Sequence, residues 1–539
     1  MGEPRRMTLH LGNAAIRSDN DAADDLYQAG LREQAAGRLD AAIALFDRAM
    51  SLRPEFPEAL CSGGYILQTK GHAAAALAFY DRALSLKPDY AVAWFNRGCL
   101  LMAHKNYEAA LESFDQACAL KPGDANFYCN RGAALVSVGR AAEAAEDQKR
   151  ALALKPDFIK AALNLGNALM RLGAYAGARD AYRRAIELKA DYASGFAGLG
   201  IALKELGQFS EALEAFDEAL RLEPDSDEAL ANKGCLQLLL GNFAAGWEGY
   251  EHRWFKGQRL TLISSAKFDL RAPATLAGRK ILVVNDHGLG DTIQFFRYIV
   301  LLAEAGAEVT FACPAKMWRL LDSSGAKVAW RDDKDQSGDF DATLSLSSLP
   351  RACETRLETI PAPAPYLRAE PDRVAHWRAR MSGEGVKIGL CWSGSSDFRV
   401  DPRRSIPPVH LAPLAELPNA RFFSLQKEDV ASPFPKALEG RLIRFDGIDS
   451  GPDAFIDTAA IMANLDLVVT CDTSIAHLAG ALGRPVWVAL KHIPEWRWMH
   501  ARADSPWYPT MRLFRCADGD DWTALFNEMT PEIRRKFPG

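Results

Sequence analysis

Glycine recurs in this chain every 34 residues, at Gly30, Gly64, Gly98, Gly132, Gly166, Gly200 and Gly234. A second series runs in step with it at Gly37, Gly71, Gly139, Gly173, Gly207 and Gly241, with Lys105 in the remaining place. Pro54, Pro88, Pro122, Pro156 and Pro224 form a third, with Ala190 standing in once, and Ala49, Ala83, Ala117, Ala151, Ala185 and Ala219 a fourth. Such a period means a small helical unit that buries its apolar face only against copies of itself. The first glycine is expected to let two helices approach, the second to make the turn between them, and the proline to stop the second helix. Phe46, Tyr80, Phe114, Tyr182 and Phe216 on second helices, and Leu67, Leu101, Leu135, Leu169 and Leu203 on first helices, are expected to fill the space between successive pairs.

The pattern resembles the tetratricopeptide repeat family over seven units, roughly Ala23 to Leu260. The resemblance implies an α-solenoid with a concave groove. The seventh unit departs from the pattern. Arg253 stands where the packing alanine belongs and no closing proline follows, so Gly246 to Trp254 reads as a fastening onto the next domain. Asn96, Asn130, Asn164 and Asn232 also recur on first helices. In protein O-linked N-acetylglucosamine transferases, which the array resembles, such an asparagine ladder holds an extended peptide, since an amide both donates and accepts. The other reading has each amide satisfying its own helix surface, and Gly198 interrupts the ladder. A protein or peptide is the partner expected in the groove.

From Lys280 the period changes. Ile281–Val284, Glu308–Ala312, Lys327–Trp330 and Asp341–Leu346 read as strands, with a helix over Asp291–Glu304. This is βαβ order, hence a parallel sheet. The proline-rich run Ile360–Leu367 reads as a hinge. A second α/β lobe opens with Val386–Trp392, continues through Arg421–Leu425, and reaches Leu465–Val469, a short helix ended by Gly483 and Pro485, and Val486–Leu490. The tract from Trp496 to Phe514 is expected to cross back and close the cleft, with Trp487, Trp496, Trp498 and Trp507 in the core or the lobe interface. At 539 residues the chain is too long for one core. We read a flexible segment over 1–22, repeats over 23–260, an acceptor lobe over 261–370 and a donor lobe over 371–539. A net charge of −5 with no dense basic run argues against a nucleic-acid partner. No apolar stretch is long enough for a transmembrane segment, and the start lacks a signal-peptide core. Ten scattered cysteines without a Cys-x-x-Cys pair suit a reducing, cytoplasmic setting.

Two lobes of this kind resemble the GT-B glycosyltransferase fold. Three motifs narrow the resemblance to the ADP-heptose:lipopolysaccharide heptosyltransferase family: Gly288-Leu289-Gly290-Asp291, Trp392-Ser393-Gly394-Ser395, and Asp472-Thr473-Ser474 with His477. That family lacks the repeats. In open α/β sheets ligands sit at the carboxyl ends of strands, where free amides and a positive helix end favour an anion. Asp472, Thr473, Ser474 and His477 are therefore expected to hold a nucleotide-sugar donor, His477 by donating to a phosphate. The resemblance makes Asp291 the base for the acceptor hydroxyl; its other reading is a helix cap. Arg403 and Arg404, Arg404 first, are candidates to offset the leaving diphosphate, where heptosyltransferases carry a lysine. Ser393 and Gly394 would let backbone approach the phosphates. Gln426 is a candidate nucleotide contact, and His287, with Gly288 and Gly290, forms the acceptor-side loop. No metal and no further cofactor are expected.

These residues describe a metal-independent glycosyltransferase acting on a protein or other large acceptor recruited by the repeats. A reading of a different class makes the chain a non-catalytic scaffold with a degenerate glycosyltransferase-like half. A third places the acceptor in a glycolipid at the inner membrane face.

Overall fold

The computed structural model describes residues 19–254, 267–269, 272–394, 402–427, 433–517 and 519–538. The chain divides into two compact units, Met1–Ala202 and Leu203–Gly539. Fourteen α-helices run from Asp19 to Tyr250. Ten lie in the first unit, Ala193–Glu205 ends just past the division, and Phe209–Leu222, Asp227–Leu239 and Phe243–Tyr250 belong to the second. The repeat boundary expected at residue 260 lies outside the described residues. Among the described residues no helix is long and apolar enough to cross a membrane, and all ten cysteines are free.

The turn glycines do what their spacing requires. Gly37, Gly71, Gly139 and Gly173 all have φ between 74 and 82°, a region L side chains avoid, and Lys105 adopts φ 61° in the same turn. The other glycine series works differently from expectation. Backbone is the nearest neighbour at Gly234, where a Cβ would stand 2.6 Å from the Gly249 carbonyl carbon. At Gly98 and Gly166 the space is taken by the ring sixteen residues on, Phe114 at 2.6 Å and Tyr182 at 2.5 Å from a Cβ. In the fourth repeat the buried Gln148 fills that place and donates to the Cys129 carbonyl at 3.0 Å.

The second unit holds two parallel sheets. The first has the order β3-β2-β1-β4, with β1 Lys280–Val284, β2 Glu308–Ala312, β3 Val328–Arg331 and β4 Ala342–Ser345. The second contains β5 Val386–Cys391, β6 Ala420–Ser424, β7 Leu442–Ile443, β8 Leu467–Thr470, β9 Val486–Leu490 and β10 Met511–Arg515. Its order is β7-β6-β5-β8-β9-β10. In each sheet the chain winds outward from its first strand, then returns to that strand's other side. The two switch points therefore lie beside β1 and between β5 and β8, where doubly wound sheets open a crevice. Helix Trp522–Lys536 covers the second sheet, packing Phe526, Met529 and Ile533 into the core of Ile388, Phe422, Leu467 and Trp487.

The last helical pair is fastened to the first sheet, as its aberrant sequence suggested. Trp247 Nε1 donates to the Thr355 carbonyl at 3.0 Å. Arg253 Nη2 reaches Asp286 at 2.9 Å, Ser345 Oγ at 2.6 Å and Ser348 Oγ at 3.1 Å. Trp487, Trp496, Trp498 and Trp507 are all buried.

The repeat geometry makes a stability prediction. Tyr182 is pinched between Gly166 and Gly198, each 2.5 Å from its ring measured from a Cβ, and its hydroxyl donates to Asn167 at 2.7 Å, so the ring cannot give way. Gly166→Ala should destabilise by about 1–3 kcal/mol. Gly123→Ala, in an open turn with nothing within 4 Å of its Cβ, should be neutral to slightly stabilising. Urea unfolding followed by circular dichroism reads both.

Candidate functional site

After β1 the chain turns on Asn285. Its Nδ2 donates to the His287 carbonyl at 2.9 Å and its Oδ1 accepts from Thr292 Oγ1 at 2.7 Å. Gly288 becomes the N-cap of helix Leu289–Glu304, and Asp291 lies in the first turn. The cap reading of Asp291 gives way: its carboxylate accepts from Arg497 Nη2 at 2.6 Å. His287 hydrogen-bonds the Asp286 carbonyl through Nδ1 at 2.7 Å and the Tyr250 hydroxyl through Nε2 at 3.3 Å.

After β8 the chain turns through Asp472 into helix Ser474–Ala481. Thr473 is its N-cap, and Thr473 Oγ1 accepts from the Ile475 amide at 3.1 Å. The starts of these two helices face each other. A Cβ on Gly290 would stand 3.1 Å from His477 Cδ2 and 3.7 Å from the Ser474 nitrogen. Glycine is needed there for the approach itself. First-turn amides have no acceptor within their own helix, so two positive helix ends meet in one place.

A cleft of about 1000 Å³ opens at this meeting point. It is lined by His287, Gly288, Gly290 and Asp291, by Ser393, Gly394, Arg404 and Gln426, and by Asp472, Thr473, Ser474 and His477. Asn232 lines it as well, from helix Asp227–Leu239. Asn96, Asn130 and Asn164 belong to the first unit. Asn130 and Asn232 each donate to the carbonyl four residues back on their own helix, at 2.9 and 2.8 Å. Asn96 and Asn164 reach the sulfurs of Cys61 and Cys129, both at 3.5 Å.

The turn after β5 is already occupied in part. The Ser393 amide donates to Gln426 Oε1 at 3.0 Å and the Gly394 amide to Ser405 Oγ at 3.3 Å. Gln426 thus clasps this turn. Arg404 lies over Gly394, its Nη2 3.1 Å from where a Cβ would stand. Arg403 points toward Glu205, at 4.0 Å. Ser395 lies outside the described residues.

His477 is 3% exposed, hydrogen-bonds the Tyr508 hydroxyl through Nδ1 at 3.0 Å and stacks on Trp498. Burial, with Arg497, Arg297 and Arg404 nearby, holds its pKa well below the usual imidazole range, so the ring is neutral. Asp472 is 6% exposed. Burial, then repulsion from Glu495, raises its pKa to about 6 against the pull of Arg497. Partial desolvation pushes Glu495, an otherwise exposed residue, up, but Arg497, Arg404, Lys491 and Lys204 outweigh it and hold that carboxylate below its usual range. Glu205, ion-paired to Lys204 and Lys491 at 3.0 Å each, is likewise pulled down to about 2 despite burial.

Sequence reasoning did not find Arg497, Glu495, Lys204, Glu205 or Lys491. The only signal was the tract Glu495-Trp496-Arg497-Trp498, charged residues alternating with tryptophans at a point where the chain returns to the cleft.

The acid and the imidazole pull stability in opposite directions as pH changes. The raised pKa of Asp472 means the folded state binds the extra proton, so its contribution falls as pH rises from about 4 to about 6. The depressed pKa of His477 means the unfolded chain binds the extra proton, so that contribution is lost as pH falls below about 6.5. Asp472→Asn should therefore raise the melting temperature relative to the parent chain at pH 7.5, with the gain shrinking toward pH 4.5. A thermal melt of both proteins across that range checks it; a gain that grows toward acid pH contradicts it.

Tetratricopeptide repeat profiles match residues 20–91, 79–112, 98–139, 125–158, 166–207 and 193–226. The chain is 26% identical over 316 residues to protein FlbA of Caulobacter vibrioides, covering 53% of this chain and 52% of that protein. It is 29% identical over 143 residues to lipooligosaccharide heptosyltransferase 2 of Haemophilus influenzae, covering 24% of this chain and 40% of the enzyme. The chain thus spans about half the length, or less, of the curated relatives it matches. Among solved structures, YrrB, a TPR protein with an unusual peptide-binding site, is 24% identical over 35% of this chain and 97% of its own, with a TM-score of 0.32. PilF of Pseudomonas aeruginosa is 23% identical over 40% of this chain and 97% of its own, with a TM-score of 0.36. Residues 20–226 carry tetratricopeptide repeats, a module for protein interaction, and two parallel α/β sheets follow them.

Proposed function

We propose that the two sheets form a GT-B glycosyltransferase, and that the repeats recruit its protein acceptor. The observation that carries this reading is the meeting of two helix amino ends, from the switch points of two separate sheets, at one cleft. The heptosyltransferase similarity supports the class of chemistry. The cleft lining also carries five cations, Lys204, Lys316, Arg404, Lys427 and Arg497, against three acids, Asp291, Asp472 and Glu495, which suits an anionic ligand.

In this reading the donor diphosphate sits on the first turn of helix Ser474–Ala481, beneath Arg404. In the tautomer this reading requires, neutral His477 carries its proton on Nε2, accepts from the Tyr508 hydroxyl through Nδ1 and donates to a phosphate oxygen. Buried Asp472 accepts from a ribose or sugar hydroxyl. The acceptor hydroxyl enters beside Asp291. Its oxygen bonds to the anomeric carbon as the bond from that carbon to the phosphate oxygen breaks; the electron pair leaves with the diphosphate and the proton passes to Asp291. Arg404 offsets the charge that develops on the leaving group.

Two measurements test it. Isothermal titration against adenosine, guanosine, uridine and cytidine diphosphates should find one that binds. With the matching nucleotide sugar, Asp291→Asn should lower turnover at least about 100-fold in protein shown by circular dichroism to be folded. Turnover unaffected by that substitution, or no binding at all, would leave the chain as a scaffold.

A further inference from the structure

Arg497 has a fixed root and three partners. Its backbone lies between Trp496 and Trp498, 6% and 0% exposed. Its Nε donates to Gln294 Oε1 at 3.1 Å, its Nη1 to Glu495, and its Nη2 to Asp291 Oδ1 at 2.6 Å. Gln294 is fully buried, and its Nε2 has no hydrogen-bond partner among the described residues. The inner end of the guanidinium is therefore anchored in the protein, while its outer end faces the cleft. The side chain of Arg497 is 9% exposed, that of Asp291 17% and that of Glu495 45%.

This arrangement makes the acids around Arg497 competitors for it. Asp291, Glu495 and Asp472 all act on the one guanidinium, which can pair fully with two carboxylates at most. A diphosphate brings a denser negative charge and a bidentate match to the guanidinium fork. Asp291 Oδ1, for its part, is engaged by Arg497 for as long as that hydrogen bond lasts.

Resting on the transferase reading, we propose that Arg497 exchanges partners: it holds Asp291 while the cleft is empty and turns to the donor diphosphate on its arrival, freeing Asp291 for the acceptor proton. The exchange needs only rotation of the side chain about its packed root. It places donor binding before acceptor activation, and it makes Asp291 and the diphosphate competitors for one cation.

Removing an acid from an anion site also relieves simple repulsion, so the exchange is read from whether the gain depends on Arg497. Titration with the four nucleoside diphosphates should show Asp291→Asn binding the preferred one at least about fivefold tighter than the parent chain. The gain should vanish when Arg497→Met is added, and neither substitution should alter binding of the nucleoside lacking phosphates. Glu495→Gln should tighten binding in the same direction, which keeps the test open if Asp291→Asn does not fold. Unchanged or weaker binding in both acid variants, or a gain that persists beside Arg497→Met, overturns the exchange and leaves the transferase reading standing. A parent chain that binds none of the four diphosphates overturns both.

Discussion

Arg297 is a completely buried cation with no carboxylate against it among the described residues, and it ties together the elements beneath the cleft. Its Nη1 donates to the Pro361 carbonyl at 2.8 Å and the Trp507 carbonyl at 2.6 Å, its Nε to the Gln294 carbonyl at 2.8 Å, and its Nη2 to the Tyr366 hydroxyl at 3.3 Å. The rings of Tyr366, Trp507 and Tyr508 surround it at 4.6–5.5 Å. Taking such a charge out of water costs several kcal/mol, and only a full set of acceptors and ring faces offsets it. Those acceptors come from three places: the helix after β1, the proline-rich connection, and the tract before β10. Tyr366 adds two links, donating its hydroxyl to Ile293 and its amide to the Ala481 carbonyl. The two helices whose amino ends meet at the cleft are thus held by one polar knot beneath it.

That knot explains which parts of the molecule the sequence could show. Strands betrayed themselves locally: Ile281–Val284 and Val486–Leu490 are unbroken apolar runs, and the structure starts or ends them within one residue of expectation. The residues after them fell at switch points because βαβ order leaves little choice. Arg497 and Asp291 stand 206 positions apart, and no periodicity joins them. The same is true of Arg297 and Trp507, 210 apart. A buried ion pair depends on where two distant backbones come together, and that is set by all the packing in between. Gln426 shows the limit in another form. Its position past a strand was legible, but its clasp on the Ser393 amide depends on a turn that the sequence leaves unspecified.

The glycines taught a related lesson. Both series were legible as a period, and the turn series followed from backbone chemistry, with Lys105 taking up the same left-handed φ at some cost. The other series was misread in its cause. A missing Cβ can admit a backbone or a ring, and the sequence spacing is the same for both. At Gly30, Gly64, Gly98 and Gly166 the nearest neighbour is the ring sixteen residues on and at Gly132 it is Gln148, whereas at Gly234, in the pair that departs from the pattern, it is the backbone at Gly249.

That exceptional pair ties the repeats to the α/β chemistry. Close approach at Gly234 brings helix Phe243–Tyr250 tight against Asp227–Leu239, and Arg253 then enters the first sheet to meet Asp286, whose side chain is fully buried. Burial raises the cost of that carboxylate, and His287 and Arg253 bring its pKa back below the usual range. His287 and the Asp286 backbone begin the turn that leads to Asp291. The cation from the last repeat therefore stabilises the charge at the base of the glycine loop, while Asn232, Cys235 and Leu239 of the same pair line the cleft itself. An α/β half cut away after Arg253 would lose one wall of the cleft and leave the buried Asp286 carboxylate without its guanidinium partner. The last helical pair is for this reason part of the site's own architecture as well as the end of the repeats.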